Sequence, residues 1–78
     1  MKLLIVEDEV PLLKSISFGL KKSGFEPLEA KSGDEAWNLF KKYGEKLDLL
    51  LIDYRLPDID GIDLLKRIRQ RDSHISVI

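Results

Sequence analysis

The stretch Leu49-Leu50-Leu51-Ile52-Asp53 places four large apolar residues in a row and ends them with a carboxylate. A run without apolar and polar alternation is typical of a strand buried on both faces, inside a parallel sheet that helices cover. In open α/β sheets, ligands bind at the carboxyl ends of the strands, often where the strand order reverses. Asp53 is therefore the first candidate functional residue.

A second stretch of the same kind opens the chain. Leu3-Leu4-Ile5-Val6 is followed at once by the acidic residues Glu7-Asp8-Glu9. If the two strands are parallel neighbours, about 4.8 Å apart, then Glu7, Asp8 and Asp53 lie together at one edge of the sheet. Glu9 is interpreted as an acid near the start of a helix, where the helix dipole favours negative charge.

Turn residues and helical periodicity divide the rest of the chain into alternating helices and strands. Pro11 and Gly24 bracket a first helix, Val10 to Ser23. Pro27 cannot donate to a sheet ladder, which puts the second strand at a sheet edge and, with right-handed crossovers, gives a strand order of 2-1-3. The other predicted elements are a second strand over Phe25–Ala30, a second helix opened by a Ser32–Glu35 capping box, a third helix with Ile62, Leu65 and Ile68 on its buried side, and a fourth strand over Ile75–Ile78.

Composition limits the classes of function. The chain has 78 residues, enough for one small domain, and its net charge of −1 argues against direct binding of nucleic acid by charge. It has no cysteine, which excludes disulfides and thiolate metal sites. Its apolar runs are too short to span a bilayer, and its start does not have the pattern of a signal peptide. We therefore expect a cytoplasmic domain without a membrane partner.

The convergence of acidic residues predicts a cation. Two carboxylates about 4 Å apart repel by about 4 kcal/mol at an effective dielectric constant of about 20. Since no histidine or cysteine is placed to join them, the all-oxygen set favours Mg²⁺, Mn²⁺ or Ca²⁺, and Mg²⁺ fits best because it uses few carboxylates together with phosphate oxygens. A carboxylate beside Mg²⁺ can attack phosphorus and form an aspartyl phosphate.

These motifs resemble the receiver domain of two-component response regulators. The resemblance rests on Leu3 to Glu9 and on Asp53-Tyr54-Arg55-Leu56-Pro57-Asp58-Ile59-Asp60-Gly61. It implies a flavodoxin-like, doubly wound parallel sheet, β1-α1-β2-α2-β3-α3-β4, with strand order 2-1-3-4. It also implies that Asp53 accepts a phosphoryl group from a sensor histidine kinase, that Asp8 binds Mg²⁺ directly and Glu7 partly through water, and that Arg55 contributes its backbone carbonyl.

By the same resemblance, residues 1–78 correspond to the first part of a receiver domain. The last strand, with its phosphate-binding lysine, and the last two helices have no counterpart in the sequence. Strand four is then an apolar edge, and we expect it, with an uncovered sheet face that includes Leu4 and Val6, to allow a homodimer.

Two other functions remain open at this stage. One is a receiver fragment that is not phosphorylated and acts as a protein-binding module. The other is a Mg²⁺-dependent phosphatase or phosphotransferase, although phosphatases of this kind carry a second aspartate two residues after the nucleophile, where this chain has Arg55. We expect a phosphoacceptor domain, which at most catalyses its own phosphorylation and dephosphorylation, and not a true enzyme.

Overall fold

The structure, a computed structural model, describes residues 1–53 and 55–78. One parallel sheet contains strands β1, β2, β3 and β4, and three helices, α1, α2 and α3, alternate with them along the chain. The strands lie in the order β2-β1-β3-β4, so the predicted order 2-1-3-4 is confirmed. The bounds are β1 Lys2–Val6, α1 Val10–Lys22, β2 Glu26–Ala30, α2 Gly33–Tyr43, a 3₁₀ turn Gly44–Lys46, β3 Leu49–Ile52, α3 Gly61–Arg71 and β4 Ser76–Val77.

The alternation of side chains along β1 gives the sheet two apolar faces. Leu4 and Val6 belong to a buried cluster with Leu50 and with residues of α2 and α3, including Phe40 and Leu64. Leu3 and Ile5 point the other way and pack with Leu13 of α1. The expectation that the face with Leu4 and Val6 would be uncovered is wrong, because these side chains are at most 1% exposed under α2 and α3.

Helix α1 ends one residue earlier than predicted, and β2 begins one residue later. Gly24 has a φ of 93°, and its amide donates to the Lys21 carbonyl while the Phe25 amide donates to the Leu20 carbonyl. This pair of bonds is the Schellman motif, in which a left-handed glycine closes the helix. The Phe25 amide is therefore used by the helix end, and pairing with β1 starts at Glu26.

The third helix and the fourth strand also differ from expectation. Leu64 and Ile68, four residues apart, are fully buried against the sheet, whereas Ile62 in the first turn is 46% exposed. Strand β4 is assigned only to Ser76–Val77, although the amide of Ile78 still donates to the Leu50 carbonyl at 2.9 Å. Pairing with β3 therefore continues to the last residue, close to the predicted range.

Within the part of the chain that the structure describes, none of the helices has the length and apolarity that crossing a bilayer requires.

Candidate functional site

The central strands deliver two acidic residues to the same edge of the sheet. Strands β1 and β3 are parallel neighbours, with Val6 opposite Ile52. The ladder continues past both strand ends, because the Asp53 amide donates to the Val6 carbonyl at 2.8 Å and the Glu7 amide donates to the Ala30 carbonyl at 3.0 Å. The backbone positions of Glu7 and Asp53 are thus set by main-chain bonds to adjacent strands.

Three carboxylates meet at this edge. One oxygen from each of Glu7, Asp8 and Asp53 lies within 4.8 Å of the others, with Glu7 and Asp53 half-buried and Asp8 exposed. No other such group of acidic or histidine side chains occurs in residues 1–53 and 55–78. A compact set of hard oxygen donors, without nitrogen or sulfur, suits a cation such as Mg²⁺. The residues present therefore fit the metal that the sequence predicts.

The electrostatics of Glu7 are consistent with a site that needs a cation. Burial raises the pKa of Glu7 above its ordinary 4.5, and the neighbouring Asp53 raises this pKa further. The Glu9 amide, 3.1 Å from Glu7 Oε2, opposes the shift because it donates a hydrogen bond to the charged form. A bound cation would favour the ionised carboxylate and so reverse the upward shift.

The segment after Asp53 folds back as a closed loop, which we call the acceptor loop and define as residues 55–60. The Arg55 amide donates to Asp53 Oδ1 at 3.3 Å, and Arg55 forms an antiparallel bridge with Asp60. Asp60 also caps α3, because its Oδ1 accepts a bond of 2.8 Å from the Ile62 amide. Tyr54, part of the motif quoted above, lies outside the described residues.

A residue with no predicted role connects the acceptor loop to α2. Asp58 Oδ1 accepts from the Gly33 amide and Asp58 Oδ2 from the Asp34 amide, both at 2.8 Å. The sequence offered only an indirect signal for this contact. The first turn of a helix has several unpaired amides, and a single Ser32 cap cannot satisfy them all.

An apolar cavity of about 190 Å³ lies beside Asp53. Its walls come from the end of β3, the start of α3 and the end of the chain, and are Ile52, Asp53, Gly61, Ile62, Leu65, Val77 and Ile78. A larger cavity, of about 350 Å³, is lined by residues from the ends of α2 and α3 and contains none of the three clustered acids. Cavity size alone therefore does not mark the acidic site.

Comparison with known families agrees with the geometry. The family model described as the response regulator receiver domain matches residues 3–78. The chain belongs to this family. The receiver is 39% identical to the alkaline phosphatase synthesis transcriptional regulatory protein PhoP of Bacillus subtilis, over 90% of the chain and 28% of that protein. It is 35% identical to the sporulation initiation phosphotransferase F of the same organism, over 99% of the chain and 60% of that protein.

Solved receivers have the same fold. A response regulator receiver domain protein from Clostridium thermocellum aligns with a TM-score of 0.94 and 32% identity, over 97% of this chain and 60% of that one. A complex from Borrelia burgdorferi, described as CheX-CheY-BeF₃-Mg²⁺, aligns with a TM-score of 0.92 and 29% identity, over 99% of this chain and 58% of the other. The chain thus spans about 60% of these structures and between 28% and 60% of the two curated relatives above.

The receiver fold brings together three of the four predicted site residues. Glu7, Asp8 and Asp53 form the carboxylate cluster, and Arg55 begins the acceptor loop beside it. The metal role of the Arg55 carbonyl and the phosphoacceptor role of Asp53 stay predictions. The family match favours a signalling receiver and gives no support to the phosphatase alternative.

Proposed function

We propose that this receiver accepts a phosphoryl group on Asp53, in the presence of Mg²⁺, from the phosphohistidine of a sensor kinase. The observation that carries the proposal is the cluster of Glu7, Asp8 and Asp53 oxygens at the carboxyl ends of adjacent parallel strands. Support also comes from the relative named as a phosphotransferase and from the solved CheY complex with BeF₃ and Mg²⁺.

In this proposal, an Asp53 oxygen attacks phosphorus while the bond between phosphorus and the histidine nitrogen breaks, and the imidazole leaves with the electron pair. The Arg55 amide holds Asp53 Oδ1 and so orients the carboxylate. Glu7, Asp8, Asp53 and the Arg55 carbonyl would hold Mg²⁺, which offsets negative charge on the transferring group when bound. Apolar side chains, including those of Ile52 and Val77, line the cavity on one side of Asp53.

The test is an intact-mass measurement after incubation with acetyl phosphate and Mg²⁺. We expect a gain of one phosphoryl group that hydroxylamine removes, as for an acyl phosphate. Asp53→Asn should abolish the gain, whereas Asp63→Asn, an exposed aspartate on α3, should retain it. Phosphoryl incorporation in Asp53→Asn, or none in the unmodified chain, would refute the proposal.

The proposed function also includes the partners of the chain and its cellular location. A sensor histidine kinase is the proposed donor, and a second copy of the chain is the proposed partner for strand β4 and the sheet face that carries α1. A cytoplasmic location and the absence of direct nucleic-acid binding stay predictions from the composition.

A further inference from the structure

The first turn of α2 takes its hydrogen-bond partners from two different parts of the chain. Ser32 Oγ accepts from the Glu35 amide at 3.1 Å, and the Ser32 carbonyl accepts from the Ala36 amide at 3.0 Å. The two remaining amides, those of Gly33 and Asp34, donate to Asp58. An acceptor-loop carboxylate therefore completes the cap of a helix that begins 25 residues earlier in the chain.

The capping box that the sequence predicts is only partly formed. In the usual arrangement the glutamate side chain returns to the amide of the cap residue itself. Here Glu35 Oε1 accepts from the Lys31 amide at 3.2 Å instead. Even a complete box would not bind the amides of Gly33 and Asp34, and these donate to Asp58.

The contact with the start of α2 favours the charged form of Asp58. The hydrogen bond from the Gly33 amide, joined by that from Asp34, lowers the pKa of Asp58 below its ordinary 3.8. A carboxylate at a helix N-terminus also interacts favourably with the helix dipole. Asp58 is therefore ionised and bonded at neutral pH.

Packing at Gly33 provides a second, independent contact between the acceptor loop and α2. A Cβ atom on Gly33 would lie 1.9 Å from Ile59 Cγ2, so the loop occupies the space that any other side chain would need. Gly33 is buried, and Ile59 packs against the core cluster that contains Leu4 and Val6. Hydrogen bonds from Asp58 and packing of Ile59 thus hold two adjacent residues of the acceptor loop against the start of α2.

The other end of the acceptor loop leads directly to the acidic site. The bridge between Arg55 and Asp60 closes the base of the loop, and the Arg55 amide contacts Asp53. A loop closed at its base and fastened near its middle has little freedom to move as a whole. Release of Asp58 should therefore increase the motion of Arg55.

We propose that Asp58 is a positioning residue: it holds the acceptor loop against α2 and so fixes the Asp53 carboxylate and the Arg55 backbone in the arrangement that receives the cation and the phosphoryl group. This consequence for the cation rests on the proposed function. The effect on loop order does not, and it can be measured without metal.

The experiment compares Asp58→Ala, Asp58→Asn and Ser32→Ala in the 78-residue chain. Ser32→Ala is the matched control because it removes the other cap of the same helix and leaves the acceptor loop unchanged. The readouts are hydrogen exchange of the Arg55 amide in metal-free protein and Mg²⁺ affinity from a chemical-shift titration. Both are measured at a temperature at which circular dichroism shows every variant folded.

In Asp58→Ala we expect Arg55 exchange to be faster by about tenfold and Mg²⁺ affinity to fall by about threefold to tenfold, as for loss of one to two hydrogen bonds. Asp58→Asn retains one acceptor oxygen and should lie between Asp58→Ala and the unmodified chain. Ser32→Ala should accelerate exchange at Glu35 but change neither Arg55 exchange nor Mg²⁺ affinity.

Two results would overturn the proposal. One is unchanged Arg55 exchange in Asp58→Ala. The other is an equal loss of Mg²⁺ affinity in Asp58→Ala and Ser32→Ala, which would make Asp58 only a helix cap. If the unmodified chain binds no Mg²⁺, the proposed function fails, and Arg55 exchange alone then decides whether Asp58 orders the loop.

Discussion

The backbone amide of Asp53 donates a 2.8 Å hydrogen bond to the carbonyl of Val6, the residue before Glu7. Since this bond belongs to the main chain, it places both acidic residues without help from their side chains. Isosteric replacements such as Glu7→Gln and Asp53→Asn should therefore change the charge of the site and keep its backbone. Each of them tests the chemistry separately from the fold.

Glu7→Gln should stabilise the metal-free chain at neutral pH. The pKa of Glu7 is raised in the folded state, so the folded state binds this proton more tightly than the unfolded state and loses stability as pH rises above 4.5. Removing the charge ends the cost of its burial and its repulsion from Asp53, so the free energy of unfolding should rise by about 1 kcal/mol. Urea unfolding at pH 7 measures this difference.

The pH dependence and the metal dependence provide the controls for Glu7→Gln. The gain in the free energy of unfolding should disappear well below pH 4.5, where Glu7 of the unmodified chain is itself protonated. Saturating Mg²⁺ should reverse its sign, because the variant lacks a charged ligand. An identical gain at both pH values would contradict the assignment of the effect to Glu7.

Asp58→Asn should destabilise the chain at pH 7 by about 1 kcal/mol, because it removes the charge and one of the two acceptor oxygens that bind the Gly33 and Asp34 amides. The pKa of Asp58 is lowered by its bonds to α2, so the contribution of the charged carboxylate is present above pH 3.8 and lost as pH falls through the lowered pKa. Acid titrations of the unmodified chain and of Asp58→Asn can be monitored by circular dichroism. The difference in stability between the two should narrow below pH 3.8. A constant difference across this range would contradict the role of the charge.

The sequence predicted the sheet and the carboxylate cluster because both depend on local patterns. Unbroken apolar runs indicate buried parallel strands, and the residue after such a strand must lie at the carboxyl edge. The order 2-1-3-4 followed from one edge proline, Pro27, and the handedness of crossovers, extended by the receiver resemblance. These inferences needed no knowledge of side-chain packing.

The features that the sequence did not predict depend on contacts between distant segments. Asp58 reads as an ordinary loop acid until the start of α2 is known to lie beside it. Periodicity likewise did not separate Ile62 from Leu64, since both lie on an apolar arc and only the sheet decides which one is covered. The start of β2 was misplaced by one residue because the Schellman bonds use the Phe25 amide.

Leu50→Ala should be far more destabilising than Leu51→Ala. Leu50 is fully buried in the cluster under α2 and α3, whereas Leu51 is half-buried on the α1 face. Removing a fully buried leucine costs about 2 to 5 kcal/mol, comparable to the total stability of a small domain. Thermal unfolding followed by circular dichroism compares the two variants, and equal losses would contradict the difference in packing.

The 78-residue chain should self-associate at micromolar concentration through β4 and the sheet face that carries α1. In the described residues β4 pairs with β3 alone, and Ile78 is 74% exposed beside the half-buried Val77. On the α1 face, Leu49 and Leu51 stay half-buried, because α1 is the one described helix that packs there. An apolar strand edge next to an incompletely covered face favours pairing with a second chain.

Size exclusion coupled to light scattering measures this self-association, and Ile78→Lys is the variant that tests its location. A lysine on the outer strand should oppose edge pairing. It should lower the associated fraction without unfolding the chain, because Ile78 contributes little buried surface of its own. Asn38→Lys is the matched control, because it adds the same positive charge at an exposed position of α2, the helix that packs on the other face of the sheet. A cooperatively folded monomer at micromolar concentration, or equal effects of the two lysines, would show that β4 is not the contact.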